Sequence, residues 1–321
     1  MKKFKIDTFI IALLCCIVLA YFFPQLYEWR AGKGLEMITT IGVSLIFFFY
    51  GLKLSFKQIK DGLSNWKLHV LVQFSTFLLF PLVLLPFYPF IKTSIQHDFW
   101  LSFFFLAALP STVSSSVVMV SIARGNMAAA IFNASISGLI GVVVTPLWME
   151  LFMDFGDVDI LGHVYWGLTK EIIIPVLLGQ FLQPYLGKWA SAYSKQLSRF
   201  DKSVILLIVY ASFAESFVSG VFDSIGRTYL VWVFVGVVVL FCLVYGLIYA
   251  LSRYVLKFSR EDQITALFCG SKKSLTHGSV FGKFLFVHTA GAGLYFLPLM
   301  IFHAFQIFVV TIIAQRYHNK G

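Results

Sequence analysis

Apolar residues run through this chain in long blocks, separated by short stretches rich in charge, proline or glycine. The blocks fall at 7–23, 36–51, 67–89, 98–122, 127–151, 163–184, 203–219, 228–255, 262–287 and 294–316. A helix needs about 20 apolar residues to cross a bilayer, and hydrocarbon forces the backbone to pair its polar groups internally. The pattern therefore predicts an all-α polytopic membrane protein with ten transmembrane helices. The second block is short, and the ninth carries Lys272, Lys273 and His277 in its middle.

Composition strengthens this reading. Of 321 residues 59% are hydrophobic and 12% charged, against about 45–50% apolar in ordinary soluble chains. The net charge of +10 would suggest nucleic acid in a soluble protein, but the basic residues sit between the blocks, where they report topology. With the amino terminus inside, seventeen of the 25 Lys and Arg fall on the cytoplasmic side, from Lys2 and Lys3 to Arg316 and Lys320. Six fall on the other (Arg30, Lys33, Lys92, Lys170, Arg227 and Lys283), where Asp154, Asp157 and Asp159 crowd one loop. Both termini are expected in the cytoplasm, the chain in a plasma membrane of bacterial inner-membrane type, and the first block as an uncleaved helix. Lys272 and Lys273 belong to neither side. Cys15, Cys16, Cys242 and Cys269 all lie inside blocks and show neither a disulfide frame nor a zinc spacing.

Ten spans divide at 152–162 into two groups of five, 1–155 and 156–321. A five-helix half begins on one side and ends on the other, so the second half enters inverted, the plan of secondary transporters. The fourth helix of each half is interrupted. In the first, Pro110 removes a backbone donor and is followed by Ser111, Thr112, Ser114, Ser115 and Ser116; the alternative is a proline kink healed by serines. In the second, Gly270, Ser271, Lys272, Lys273 and Ser274 lead to Thr276, His277 and Gly278. A lysine at mid-bilayer costs at least about 2.5–3.5 kcal/mol. Consecutive helical residues point about 100° apart, so one of the two lysines is expected to face a cavity, Lys272 in preference to Lys273. The alternative is a long cytoplasmic loop. Paired interruptions in opposed halves mark a binding site near the midplane.

These stretches carry a resemblance. Gln73 to Pro81, Pro110 to Ser116, Ala123-Arg-Gly-Asn126, Ala129 to Asn133, Val144-Thr-Pro146 and Cys269 to Leu275 resemble the bile acid:sodium symporter superfamily, in the divergent branch typified by solute carrier family 10 member seven. The resemblance implies a panel domain of helices 1, 2, 6 and 7 and a core domain of helices 3–5 and 8–10. Helices 4 and 9 would cross where they unwind, with solute between the domains and access alternating. It also puts Ser115 and Gln73 at sodium-ligand positions. The family's neighbouring asparagine is Ser116 here, its fifth-helix ligands are Ala130 and Ala134, its ninth-helix glutamate is Phe268 and its glutamine is Lys272. Most sodium ligands are thus absent, and an ammonium can stand in for a cation.

The expectation is a symporter-like secondary transporter of an organic anion or amphipathic solute, with sodium coupling doubtful and a proton admitted as coupling ion. Its partners are a small-molecule solute and the lipid bilayer, with no nucleic acid and no resident cofactor. Gln73, Ser114, Ser115, Ser116, Asn133, Ser137, Gly270, Ser271, Lys272, Lys273 and Ser274 form the expected site. Gln73 and Asn133 have a plainer reading as an interhelical hydrogen bond, and Arg124 as a topology anchor or helix cap. Trp66, Trp100, Trp148, Trp166 and Trp189 read as lipid-facing or interface anchors. A regulatory membrane protein without transport is the alternative, an intramembrane lipid enzyme a more remote one: no Gly-x-Ser-x-Gly elbow, His-Glu-x-x-His pair or carboxylate pair lies within the spans.

Overall fold

The computed structural model describes residues 8–26, 33–53, 65–112, 114–153, 160–218, 226–286, 289 and 292–319, so Lys2, Lys3 and the acidic-loop residues Asp154, Asp157 and Asp159 lie outside the described residues. Among the described residues all regular structure is helical. In chain order the helices are α1 Thr8–Phe22, α2 Lys33–Lys53, α3 Trp66–Phe90, α4 Ser94–Ala108, α5 Ser114–Ile122, α6 Met127–Glu150, α7 Ile160–Leu168, α8 Ile174–Ala192, α9 Ser194–Val218, α10 Arg227–Ala250, α11 Arg260–Gly270, α12 Leu275–Leu285 and α13 Ala292–Asn319. Side-chain caps open several of them: Asn65 accepts from the Leu68 N–H, Thr93 from Gln96, Asn126 from Ala129 and Ser259 from Asp262. π turns interrupt α3 at Ser75–Leu79 and join α7 to α8 at Thr169–Ile173.

Four helices, Trp66–Phe90, Met127–Glu150, Thr228–Val255 and Ala292–Asn319, are long and apolar enough to cross a membrane. The fourth and ninth apolar blocks each form two short helices, α4 with α5 and α11 with α12, so a count of ten needs each pair to make one crossing. Arg124, at φ 61°, closes α5: the Gly125 N–H returns to the Val120 carbonyl at 2.8 Å, the pattern of a helix end with a left-handed residue. That is the cap reading of Arg124.

The chain divides into two compact units, one comprising Met1–Lys53, Trp166–Gly226 and Ser279–Phe296, the other Leu54–Tyr165, Arg227–Gly278 and Leu297–Gly321. In the first unit α2 and α8 touch backbone to backbone. A Cβ on Gly51 would lie 2.2 Å from the Val176 carbonyl oxygen, and one on Gly179 would lie 2.1 Å from that of Phe48, the small-residue contact that lets membrane helices approach closely. Lys283 is expected among the outer charges, yet it is largely buried in this unit. Its Nζ donates to Thr40 Oγ1 at 2.7 Å and to both Glu171 oxygens at 3.2 and 3.1 Å. Removal from water demands such a partner, so Lys283 is no orientation label.

In the second unit the aromatic load is partly core. Trp100 is only 5% exposed and stacks on Phe104 at 4.6 Å, with its indole N–H on the Leu84 carbonyl. Trp148 is half-buried and donates to the Phe77 carbonyl at 2.8 Å. These two are therefore packing residues, whereas Trp66, Trp166 and Trp189 are exposed. A Trp ring gains most from burial when its N–H finds an acceptor, and helix α3 supplies one in both cases.

Candidate functional site

Two helix breaks interlock in the second unit. Proline at 110 has no N–H and clashes with the turn before it, so α4 stops at Ala108 and Leu109 turns extended at φ −71°, ψ 151°. The groups this frees find partners elsewhere. The Ala108 carbonyl accepts from Thr145 Oγ1 at 2.8 Å, the Ser111 N–H donates to Ser137 Oγ at 3.0 Å, and the Pro110 carbonyl accepts from the Ser274 N–H at 2.9 Å. Ser111 Oγ in turn donates to the Cys269 carbonyl, at the end of α11. Helix α6 leaves room for the proline: a Cβ on Gly141 would come within 2.9 Å of Pro110 Cγ.

The second break holds two consecutive, fully buried lysines. Lys272 Nζ donates to Ser115 Oγ at 2.9 Å, Ser115 Oγ to Thr112 Oγ1 at 2.9 Å, and Thr112 and Ser116 share a 2.7 Å hydroxyl contact. Among the described residues Ser115 Oγ is the one hydrogen-bond acceptor that Lys272 reaches, and no ion pair includes it. An ammonium carries three donors, so Lys272 retains hydrogen-bonding capacity beside the buried hydroxyl chain of Ser115, Thr112 and Ser116. Lys273 is the opposite case. Its Nζ donates to the carbonyls of Thr76 at 2.6 Å, Ala107 at 2.6 Å and Leu109 at 2.8 Å, and lies 4.1 Å from the centre of the Phe80 ring. Its main chain is held by Gln306, which accepts from the Lys273 N–H at 2.9 Å and donates to its carbonyl at 2.8 Å.

The remaining expected residues sort by what they touch. Ser116 joins Lys272 and Ser115 through Thr112. Ser137 pairs with the freed Ser111 N–H, Ser271 returns its hydroxyl to the Leu267 carbonyl at 2.6 Å, and Ser274 starts α12 by accepting from the His277 N–H at 3.2 Å. Gly270 admits Ser75, whose Cβ would be 3.3 Å from a Cβ there. Gln73 Nε2 donates to Asn133 Oδ1 at 3.2 Å, and Asn133 Nδ2 meets His69 Nδ1 at 2.9 Å and the Ala129 carbonyl at 2.9 Å. The interhelical reading of Gln73 and Asn133 is the bond observed; Gln73 Oε1 is buried without a partner among the described residues. Ser114 opens α5, and its side chain lies outside the described residues.

Thr76, His69 and Gln306 were not singled out from sequence, and Thr112 only as one of the hydroxyls that follow Pro110. Gln306 had a signal, an amide in the middle of the last apolar block. Asp262 had less. Its carboxylate accepts from Asn126 Nδ2 at 2.8 Å and Asn65 Nδ2 at 2.5 Å, joining the starts of α3, α6 and α11.

Comparison with known proteins places the chain in a transporter family. The model of the SBF-like CPA transporter family matches residues 7–319. The chain is 38% identical to protein PA2026 of Pseudomonas aeruginosa over 99% of this chain and 95% of that one. It is 36% identical to the Escherichia coli protein named "Putative symporter YfeH", over 100% and 96% of the two chains. Sodium/bile acid cotransporter 7-B of Xenopus laevis is 28% identical over 98% of this chain and 92% of its own. These similarities point to transporters rather than enzymes, and with the apolar helices they mark an integral multi-pass membrane protein.

Proposed function

Because the chain belongs to the SBF-like CPA transporter family, in the divergent branch of the bile acid:sodium symporters, we propose that it is a secondary transporter of an organic anion or anionic amphipathic solute. The observation that carries this is Lys272, fully buried with Ser115 Oγ as its one acceptor among the described residues. A buried ammonium without a counter-charge is costly. An anion binding there would complete its hydrogen bonds and its charge together, with charge-assisted bonds stronger than those between neutral groups. Ser115, Thr112 and Ser116 would contact the solute's polar group through the same hydroxyl chain. The two interlocked breaks are the family's two unwound helices on this reading, within ten spans in two inverted repeats, and access to them alternates between the membrane faces. Gln73 and Asn133 flank the crossing.

Sodium is a poor coupling ion on this reading. Phe268, Ala130 and Ala134 replace oxygen ligands that the resemblance calls for, and an ammonium already supplies the positive charge. A proton exchanged at Lys272 is the coupling step proposed in its place. The test is tracer flux of organic anions into proteoliposomes, with sodium or choline outside and with or without a pH gradient. Saturable flux that follows the pH gradient, is indifferent to sodium and disappears in Lys272→Gln supports the proposal. Flux unchanged in that variant sinks the assigned role, and no flux of any anion favours a regulatory protein.

A further inference from the structure

The surroundings of Lys273 exist for reasons that do not involve the lysine. In the π turn of α3 the Phe80 N–H reaches back to the Ser75 carbonyl, so it is lost to Thr76. The next N–H that could serve Thr76 belongs to position 81, which is proline. At the end of α4 the Ala107 carbonyl meets the same fate. Position 110 is proline, and the Ser111 N–H is taken by Ser137. Leu109 already has extended backbone angles, so its carbonyl lies outside the helical ladder. Pro81 and Pro110 thus leave three carbonyl oxygens in one buried place without helical partners, and the face of Phe80 closes a further side.

We propose that this cage is a binding site for a small monovalent cation of the ammonium class, which the chain fills permanently with its own Lys273. The match is complete in number, since three N–H donors meet three oxygens at 2.6, 2.6 and 2.8 Å. The ring at 4.1 Å adds the cation–π contact that aromatic cages offer ammonium ions. Rings of backbone carbonyls replace the hydration shell of a monovalent cation in potassium-channel filters. Gln306, bonded to both the N–H and the carbonyl of Lys273, fixes the point from which the side chain is delivered. The two neighbouring lysines therefore divide the work: Lys273 is the resident cation that holds α3, α4 and the second break together, and Lys272 spends one donor on Ser115 and keeps the others for a ligand. The inference is independent of the anion reading, because variants of Lys272 test that and variants of Lys273 test this.

The experiment removes the tether and returns the cation. Full-length Lys273→Ala, purified in detergent, is melted in methylammonium chloride, sodium chloride and choline chloride at equal ionic strength. Three stranded carbonyls are expected to lower its melting temperature by at least about 5 °C in choline. Methylammonium recovers most of that loss, sodium less, and wild type responds to none of them. If Lys273→Ala does not survive purification in choline, the readout becomes the yield of monodisperse protein when methylammonium is present throughout extraction. A variant that melts like wild type, or one that methylammonium restores no better than choline by either readout, overturns the proposal.

Discussion

Lys272 and Lys273 are adjacent in the chain and equally buried, yet one ammonium meets a single serine hydroxyl while the other is saturated by three carbonyls. Stability and binding are expected to separate along that difference. Replacing an uncompensated buried charge by an apolar side chain of similar length is commonly neutral or stabilising. Lys272→Met should therefore melt at or above the wild-type temperature while losing anion flux. Thermal shift checks the other half: carboxylate or sulfonate solutes raise the melting temperature of wild type and leave that of Lys272→Met unchanged. A Lys272→Met protein that is strongly destabilised would assign the residue to the scaffold.

Pro81 and Lys273 should be coupled although they belong to distant parts of the sequence. Alanine at 81 returns an N–H that can reach the Thr76 carbonyl, so one of the three oxygens no longer depends on the lysine. In a double-mutant cycle measured by thermal or chemical denaturation, Lys273→Ala costs less in the Pro81→Ala background, by on the order of 1 kcal/mol. Strict additivity would show that the proline does not create the demand.

Glu171 and Lys283 form a buried ion pair in the first unit, with Thr40 as third member. Breaking such a pair leaves one charge without a partner, whereas removing both charges need not cost much. Glu171→Gln is expected to lose roughly 3–5 kcal/mol or to misassemble, and Glu171→Gln with Lys283→Met should regain most of the melting temperature. If the double variant is as unstable as the single one, the pair is not the unit that matters.

Gly51→Ala or Gly179→Ala drives a methyl group into carbonyl oxygens that belong to rigid helix backbone. Either change should force α2 and α8 apart and lower the melting temperature by several degrees, read with the far-ultraviolet helix signal unchanged before the transition. Gly246→Ala, towards the end of α10 with nothing near its missing Cβ, is the control and should be tolerated.

Class and breaks were legible in the residues; the roles within the break were not. Apolar blocks announce membrane helices because the bilayer acts on every residue of a span at once. Pro110 and the Lys272–Lys273 pair stand out because each contradicts its own block. The choice between the lysines is different. It depends on which carbonyls lack donors, and those sit 197, 166 and 164 positions from Lys273 along the chain. Periodicity carries no information over such separations. The same holds for Lys283, whose partners Glu171 and Thr40 lie on other helices, and for Trp100, whose burial follows from its packing against Phe104 and from the Leu84 carbonyl that takes its N–H.

The distance between Thr76 and Lys273 also has a meaning in time. Synthesis runs from the amino end, so the oxygens at Thr76, Ala107 and Leu109 enter the membrane long before the ammonium that will satisfy them has been made. In hydrocarbon each would be costly to leave bare, so nascent α3 and α4 must keep water, or one another, as temporary company. The second unit is consequently finished late and from its far end. A ribosome-stalled fragment ending before residue 273 should show both helices inserted but loosely packed, and should tighten when the missing stretch is supplied.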